Sequence, residues 1–357
     1  MKPPHRIRVQ YTRYQHIGAH SGFTQLLRYL DAGQFRIDLY GASDNDDDLL
    51  LPVPALRRRL RARVQRGGMA WYKLSDLNGE LWAAAAALAG RVDLVHALEG
   101  EHAIQYLPRW LRALPGRRVK LVASFHQPPA LLPELVDPRI LPQFDCITLV
   151  APAQEPFFRQ HLPPGRIRVI LHGIDSRFFV PGPARPAAGD RFRCVMAGHW
   201  LRDFAALERV AEALLGCPEF LFEVVTNRDV TAGRLPNVLV HRDIDDQALR
   251  RTYQQADVLF LPLLDATANN ALLEGMACGL PVVSTDLPAV RAYVGDGGAL
   301  LVPAGSVDGY AQALLALQAD PARRRALAQG ARRRAEELDW SVVAQSYADL
   351  YRELLHG

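Results

Sequence analysis

The stretch richest in chemistry is LPLLDATANNALLEGMACGLPVVSTD, Leu261 to Asp286. An apolar run ends at Pro262, a polar turn follows from Asp265 to Asn270, and the next residues predict a helix from about Asn269 to Cys278. Gly279-Leu280-Pro281 stops that helix before a second apolar run, Pro281 to Ser284. The first N–H groups of a helix lack intrahelical partners, and together with the helix dipole they favour a phosphate. Asn269 or Asn270 would cap the helix, and Thr267 would add a hydroxyl donor. Glu274 falls one turn inside, where its carboxylate can reach a diol such as a ribose. Alone, Glu274 reads as a surface helix residue. Within this turn and helix it points to a nucleoside diphosphate whose ribose lies along the helix.

At these residues the chain resembles the retaining nucleotide-sugar glycosyltransferases of the GT-B fold, family 4, also called group 1. That family shows an E-x7-E pattern before a GxPVV strand; here Glu274 matches the second glutamate and Cys278 to Thr285 matches the strand. The first glutamate's slot holds Ala266, with Asp265 immediately before it. The resemblance implies that Glu274 binds ribose and that the amides around Asn269 and Asn270 hold the sugar or diphosphate. Asp265 or an asparagine side chain stands in for the missing acid. Val195 to Leu214 resembles the family's GR...KG segment, which puts Arg202 in the place of the lysine and His199 in that of the arginine. A cation there would face a diphosphate whose charge grows as the glycosidic bond breaks; the other reading of Arg202 is a surface residue. Val224 to Asp229 and His241 to Pro262 resemble base-enclosing segments, which makes Asn227 and the backbone at Ile244 candidates for reading the base edge, although strand-end loops often carry such polar residues.

The amino half matches more loosely. His16 to Leu27 (HIGAHSGFTQLL) resembles the family's glycine-rich strand-to-helix loop, so Gly18, His20, Ser21 and Gly22 are placed on the acceptor side. The glycines would let backbone approach a ligand, and Ser21 equally reads as a helix cap. Ala123 to Pro129 (ASFHQPP) places His126 beside the reacting sugar by the same resemblance. Leu171 to Phe179 matches N-G-V-D-x-x-x-F just before a linker, Phe179 to Arg191 (FVPGPARPAAGDR).

Short apolar runs alternate with helical patterns on both sides of that linker, which predicts α/β domains with parallel sheets. The expected architecture is two Rossmann-like domains, 1–180 on the acceptor side and 181–340 binding the nucleotide-sugar, facing across a cleft in the GT-B manner. The family resemblance sends 341–357 back to the first domain as a terminal helix. A chain of 357 residues with 49% hydrophobic and 22% charged residues is long enough for two such cores and too apolar for global disorder. Four scattered cysteines exclude a disulfide scaffold or zinc module. The amino terminus lacks a signal-type apolar segment and no stretch reaches the roughly 20 apolar residues of a membrane span, so the expectation is a cytoplasmic protein, peripheral at most.

The net charge of +4 conceals an asymmetry: residues 1–180 carry 24 Lys and Arg against 16 acids (+8), and 181–357 carry 18 against 22 (−4). Much of the excess lies in Ala55 to Arg66 (ALRRRLRARVQR), with Leu56, Leu60 and Val64 at a spacing of four. The preferred reading is a solvated helix docking a thin apolar stripe on its own domain; the alternative is contact with an anionic membrane surface, which would make the acceptor lipid-linked. No nucleic-acid reading motif accompanies the charge. The acidic run Asp44 to Asp48 reads as solvated charge, so no metal ligands and no cofactor are expected beyond the nucleoside diphosphate sugar as co-substrate. The reading is retaining transfer of a sugar to an acceptor hydroxyl, serving glycoconjugate, glycolipid or polysaccharide synthesis. Ala266 and His199 motivate an alternative, a non-catalytic binding subunit, and a sugar-nucleotide epimerase of the same fold is a third.

Overall fold

The structure, a computed structural model, describes residues 3–14, 18–46, 53–65, 68–113, 119–183 and 191–356. The chain divides into two compact units: Met1–Ile17, Phe23–His172 and Val343–Gly357 in the first, Gly18–Gly22 and Gly173–Val342 in the second. The change of unit at Gly173 precedes the expected boundary near 180, and 184–190 of the expected linker lie outside the described residues.

Each unit is built on one six-stranded sheet whose pairings are all parallel. In the first, β1 (His5–Arg13), β2 (Phe35–Ser43), β3 (Leu94–Ala97), β4 (Lys120–Phe125), β5 (Cys146–Leu149) and β6 (Ile167–Val169) lie in the order β2-β1-β3-β4-β5-β6. In the second, β7 (Phe192–Ala197), β8 (Phe220–Val225), β9 (Val238–His241), β10 (Val258–Leu261), β11 (Val282–Thr285) and β12 (Ala299–Val302) lie in the order β12-β11-β10-β7-β8-β9. The central strands β3, β5, β10 and β11 are buried at every residue, as a sheet covered on both faces requires.

Two local readings change. The segment expected to be helical from Ser21 is a 3₁₀ helix, Phe23–Tyr29. The helix Leu74–Leu88 is built on a run of alanines that favours helix without a stripe of large side chains. The acidic run is not solvated throughout: Asp46 is 1% exposed, accepts from the Ser75 N–H and hydroxyl at 2.9 Å each, and pairs with Arg61. It fastens the start of the Leu74–Leu88 helix, while Asp47 and Asp48 lie outside the described residues. The basic helix spans Pro54–Val64 with no buried residue; Leu56 is exposed, Leu60 and Val64 are half-buried, and Arg66 is outside the described residues. Arg57 and Arg61 turn toward Asp46, whereas Arg58, Arg59 and Arg63 are exposed.

Two buried polar networks hold the first unit. The last helix, Trp340–His356, places Tyr351 so that its hydroxyl lies 2.6 Å from Nδ1 of His96, whose Nε2 meets Ser124 at 2.8 Å. Tyr347 reaches Thr148 from the same helix. Glu80 is fully buried and accepts from the backbone N–H groups of Gln105, Tyr106 and Leu107 and from the Tyr72 hydroxyl, closing the start of the Leu107–Arg112 helix.

Burial pushes the carboxyls of Glu80 and Glu101 up to about 7 and that of Glu99 up to about 8. Over the interval from their ordinary values upward, the native state therefore binds protons that the unfolded chain has released, and these groups lower stability as pH rises. His96 and His126, pushed down to about 3 by burial, act in the opposite sense but only below the ordinary histidine value. Thermal unfolding should accordingly show the midpoint falling as pH rises from about 6.5 to about 8; a flat or rising midpoint there would contradict the buried carboxyl assignment.

Candidate functional site

In an open parallel sheet a ligand crevice forms where successive crossovers leave in opposite directions. In the second unit that point lies between β7 and β10, and the strands deliver Gly198 to Arg202 and Pro262 to Asn269 to it. An isolated bridge joins Arg202 to Leu263 across the two segments. Gly198 has φ +89°, and a Cβ there would lie 2.8 Å from the Arg202 guanidinium. Leu201 is left-handed as well, at φ +56°, a strained conformation for a branched side chain that turns the backbone directly before Arg202.

Arg202 is folded onto the carboxyl end of β7. Its Nε donates to Ala197 O at 2.8 Å, Nη1 to Trp200 O at 2.9 Å and Nη2 to Asn269 Oδ1 at 3.1 Å. Asn269 is the N-cap of the helix Asn270–Ala277; the same Oδ1 accepts from Leu272 N at 3.1 Å. Burial lowers the guanidinium to about 10, opposed by Tyr253 and Glu274, so it stays cationic at neutral pH. A cation and a helix N-terminus are thus fixed side by side, an arrangement suited to an anion.

Glu274 lies in the same helix and is 4% exposed. Its Oε1 accepts from the Ser21 hydroxyl at 2.6 Å and its Oε2 from the Tyr253 hydroxyl at 2.9 Å. Burial raises its pKa, and these two hydrogen bonds work against the rise. Ser21 does not act as a helix cap. It belongs with Gly18, His20 and Gly22 to a loop that groups with the second unit and not with the amino-terminal one, where the acceptor-side reading put it. The reason is a set of contacts distant in sequence: His20 Nδ1 lies 2.8 Å from Asp175 Oδ2, its ring stacks on Phe178 at 3.6 Å, and its N–H donates to Asp246. A Cβ on Gly18 would meet the Asp246 carboxylate, which would have to move aside. Tyr253 and Phe178 escape a sequence reading of the site, and Asp175 carries a signal only as the aspartate of the Leu171 to Phe179 match; Tyr253 carries one only as the tyrosine four residues before Asp257 in YQQAD.

The remaining candidates spread around this centre. His199 is half-buried between Gly198 and the turn, Thr267 is buried, and Asn270 opens the helix. Asp265 folds back, its Oδ1 accepting from Ala266 N at 2.7 Å. Asn227 is locked against Asp243, donating from Nδ2 to Oδ1 at 2.7 Å and accepting from the Asp243 N–H at 3.0 Å, with Ile244 half-buried next to it. In the first unit, His126 stands at the end of β4. Its Nε2 is 2.7 Å from Leu98 O, which makes that nitrogen the donor, and its backbone N–H is held by Glu101. With its pKa depressed by burial and by His172, the ring is neutral at physiological pH.

Comparison with known proteins bears on the family and the fold. Residues 206–320 match the model described as Glycosyl transferases group 1, and residues 18–178 match that of Glycosyltransferase Family 4. The chain belongs to the group 1 glycosyltransferases of the GT-B fold. It is 34% identical to a D-inositol 3-phosphate glycosyltransferase of Streptomyces bingchenggensis over 29% of this chain and 23% of that one. To the protein of that name from Streptosporangium roseum it is 25% identical, over 81% of this chain and 75% of the other. A phosphatidyl-myo-inositol mannosyltransferase of Mycolicibacterium smegmatis is 36% identical over 30% of this chain and 28% of its own length. Against the first two curated relatives it matches, the chain spans only 23% and 51% of their lengths. Among solved structures, sucrose-phosphate synthase from Thermosynechococcus elongatus superposes with a TM-score of 0.73 at 19% identity, covering 98% of this chain and 99% of that one. Anabaena HepE, solved in complex with UDP, superposes at 0.66 and 14% identity, covering 98% and 100%.

The Asn269 side chain joins helix cap to cation, so Asn269→Ala should destabilise the protein by about 1 kcal/mol or more through the lost cap. Urea unfolding measures this, and a midpoint unchanged from wild type would show that the cap contributes nothing.

Proposed function

We propose that the protein is a retaining glycosyltransferase that moves a hexose from a nucleoside diphosphate sugar to an acceptor hydroxyl. The observation that carries this reading is the Arg202 guanidinium fixed against the N-cap of Asn270–Ala277, with the Glu274 carboxyl one turn inside the same helix. The diphosphate takes the helix terminus and Arg202; the ribose lies toward Glu274. As the bond from the anomeric carbon to the diphosphate breaks, the growing negative charge meets a cation and amides already in place, which need not reorganise. The acceptor oxygen bonds to the anomeric carbon on the face the diphosphate leaves, and its proton passes to the departing phosphate oxygen. We assign this charge stabilisation to the chain's own groups, Arg202 and the amides at the start of Asn270–Ala277. Neutral His126 suits hydrogen bonding to a sugar hydroxyl better than charge neutralisation.

Arg202→Ala should lower kcat by about 100-fold or more, the order seen when one donor to a developing anion is removed. NMR of the product linkage should show the donor's anomeric configuration kept; inversion would refute the retaining scheme. A second reading, a binding subunit without turnover, is favoured by Asp265, whose carboxylate is turned onto its own backbone instead of replacing the acid missing at Ala266. Nucleotide binding without donor hydrolysis or transfer over a broad acceptor panel would select it.

We place the protein at an anionic, cytoplasmic membrane face through Pro54–Val64, with a lipid-linked acceptor. The exposed Arg58, Arg59 and Arg63 beside exposed Leu56 support this, as does the lipid named in the mannosyltransferase relative. No helix among the described residues is long and apolar enough to cross a membrane. Replacing the three exposed arginines with glutamine should abolish co-sedimentation with phosphatidylglycerol vesicles and leave unfolding unchanged; equal co-sedimentation of variant and wild type would refute the placement.

A further inference from the structure

The two hydroxyls that hold the Glu274 carboxyl stand on very different supports. Tyr253, on the Oε2 side, is fully buried and belongs to the ten-residue helix Asp246–Gln255. Ser21, on the Oε1 side, belongs to the loop Gly18–Gly22, which has a glycine at each end, the second at φ +85°. Moving Tyr253 would take an aromatic ring out of a packed interior. Moving Ser21 asks only for rotation about the backbone of two glycines. Glu274 itself is 4% exposed, so a hydroxyl arriving from outside reaches its carboxyl by taking the place of one already there, and Ser21 is the one that can leave.

The loop is fastened in that position by the residue before Ser21. The His20 ring lies 4° from parallel to that of Phe178 with the centroids 3.6 Å apart, its Nδ1 is 2.8 Å from Asp175 Oδ2, and its N–H donates to Asp246 Oδ2 at 3.3 Å. Ser21 N donates to Gly18 O at 3.4 Å, which closes the loop on itself. Phe178 is held in turn by Arg250 of the Asp246–Gln255 helix, whose guanidinium carbon lies 4.9 Å from the ring centroid and whose Nη1 donates to Phe178 O at 3.3 Å. His20 is thus a latch on a fixed plate, and the latch sets the Ser21 hydroxyl 2.6 Å from Glu274 Oε1. All of these residues belong to the second unit.

We propose that the Gly18–Gly22 loop is a built-in competitor for the ribose of the donor: the Ser21 hydroxyl stands in for a ribose hydroxyl on Glu274 Oε1, His20 latches it there, and a nucleoside diphosphate binds as the loop gives way. This rests on the reading that Glu274 receives the ribose. Removing a side chain that touches a ligand weakens binding, whereas removing one that competes with the ligand strengthens it, because a larger fraction of the protein is then ready to bind. Without the Ser21 hydroxyl, Oε1 is a buried acceptor short of a partner, and the ribose supplies the missing hydrogen bond.

The test is calorimetric binding of UDP, GDP and inorganic pyrophosphate to the full chain and to its Ser21→Ala, His20→Ala and Glu274→Ala variants. Ser21→Ala should bind the nucleotide about fivefold or more tightly than wild type and leave the affinity for pyrophosphate, which has no ribose, unchanged. His20→Ala, which removes the latch and leaves the Glu274 carboxyl intact, should move nucleotide affinity in the same direction and keeps the test decisive should Ser21→Ala not fold. Unchanged or weaker nucleotide binding in folded Ser21→Ala or His20→Ala, or an equal gain for pyrophosphate, would overturn the proposal. Glu274→Ala separates it from the reading beneath it. A nucleotide affinity unaltered by that change would defeat the ribose placement and the competitor together, as would no nucleotide binding by wild type or any variant. Weaker binding in Glu274→Ala beside unchanged binding in Ser21→Ala would leave the ribose placement standing and refute the competitor alone.

Discussion

Parallel strands cannot be joined by a tight turn; each must be reached by a crossover that covers one face of the sheet. Where the chain first travels one way from its starting strand and later returns to the other side, the crossovers leave a gap at the carboxyl ends of two neighbouring strands. Each unit has one such reversal, β1 beside β3 and β7 beside β10. The rest of the chemistry follows from this constraint, because the backbone there is uncovered while the side chains around it are still held by a packed sheet. Gly198 and Leu201, both at positive φ, occupy the second of these gaps, where the chain must turn sharply to bring Arg202 back over β7.

The two reversals are electrically opposite. One combines a guanidinium with a helix N-terminus; the other brings Asp76 and Glu99 into the field of Lys73. The whole-chain count runs the other way, with the positive excess in the amino half. Net charge describes the solvated surface, to which the exposed arginines of Pro54–Val64 contribute heavily, and does not describe a strand-end crevice.

What the sequence discloses depends on how local the cause is. The Asn270–Ala277 helix was readable because its start is set within a few residues: Asn269 caps Leu272, and Gly279 with Pro281 ends it. Glu274 was readable as a site residue for the same reason, although its partners were not. Ser21 is 253 positions away, and nothing near Ser21 records that its loop belongs with the second unit. Asp46 differs from the solvated reading of its acidic run because its partners, Ser75 and Arg61, lie 29 and 15 positions on. The contact of Glu99 with Thr12 is not legible in the sequence, because it comes from the pairing of β3 beside β1, which no local pattern encodes.

Glu274 already holds a hydroxyl on each oxygen, from Ser21 and Tyr253. Its carboxyl was therefore stripped of water when the chain folded, and that desolvation is not repeated when a ligand arrives. An incoming diol that takes over either position exchanges one hydroxyl for another, a nearly balanced trade. The sugar end of a nucleotide would then set orientation, and most of the affinity would have to come from the charged end at Arg202, where no side-chain carboxylate among the described residues is hydrogen-bonded to the guanidinium.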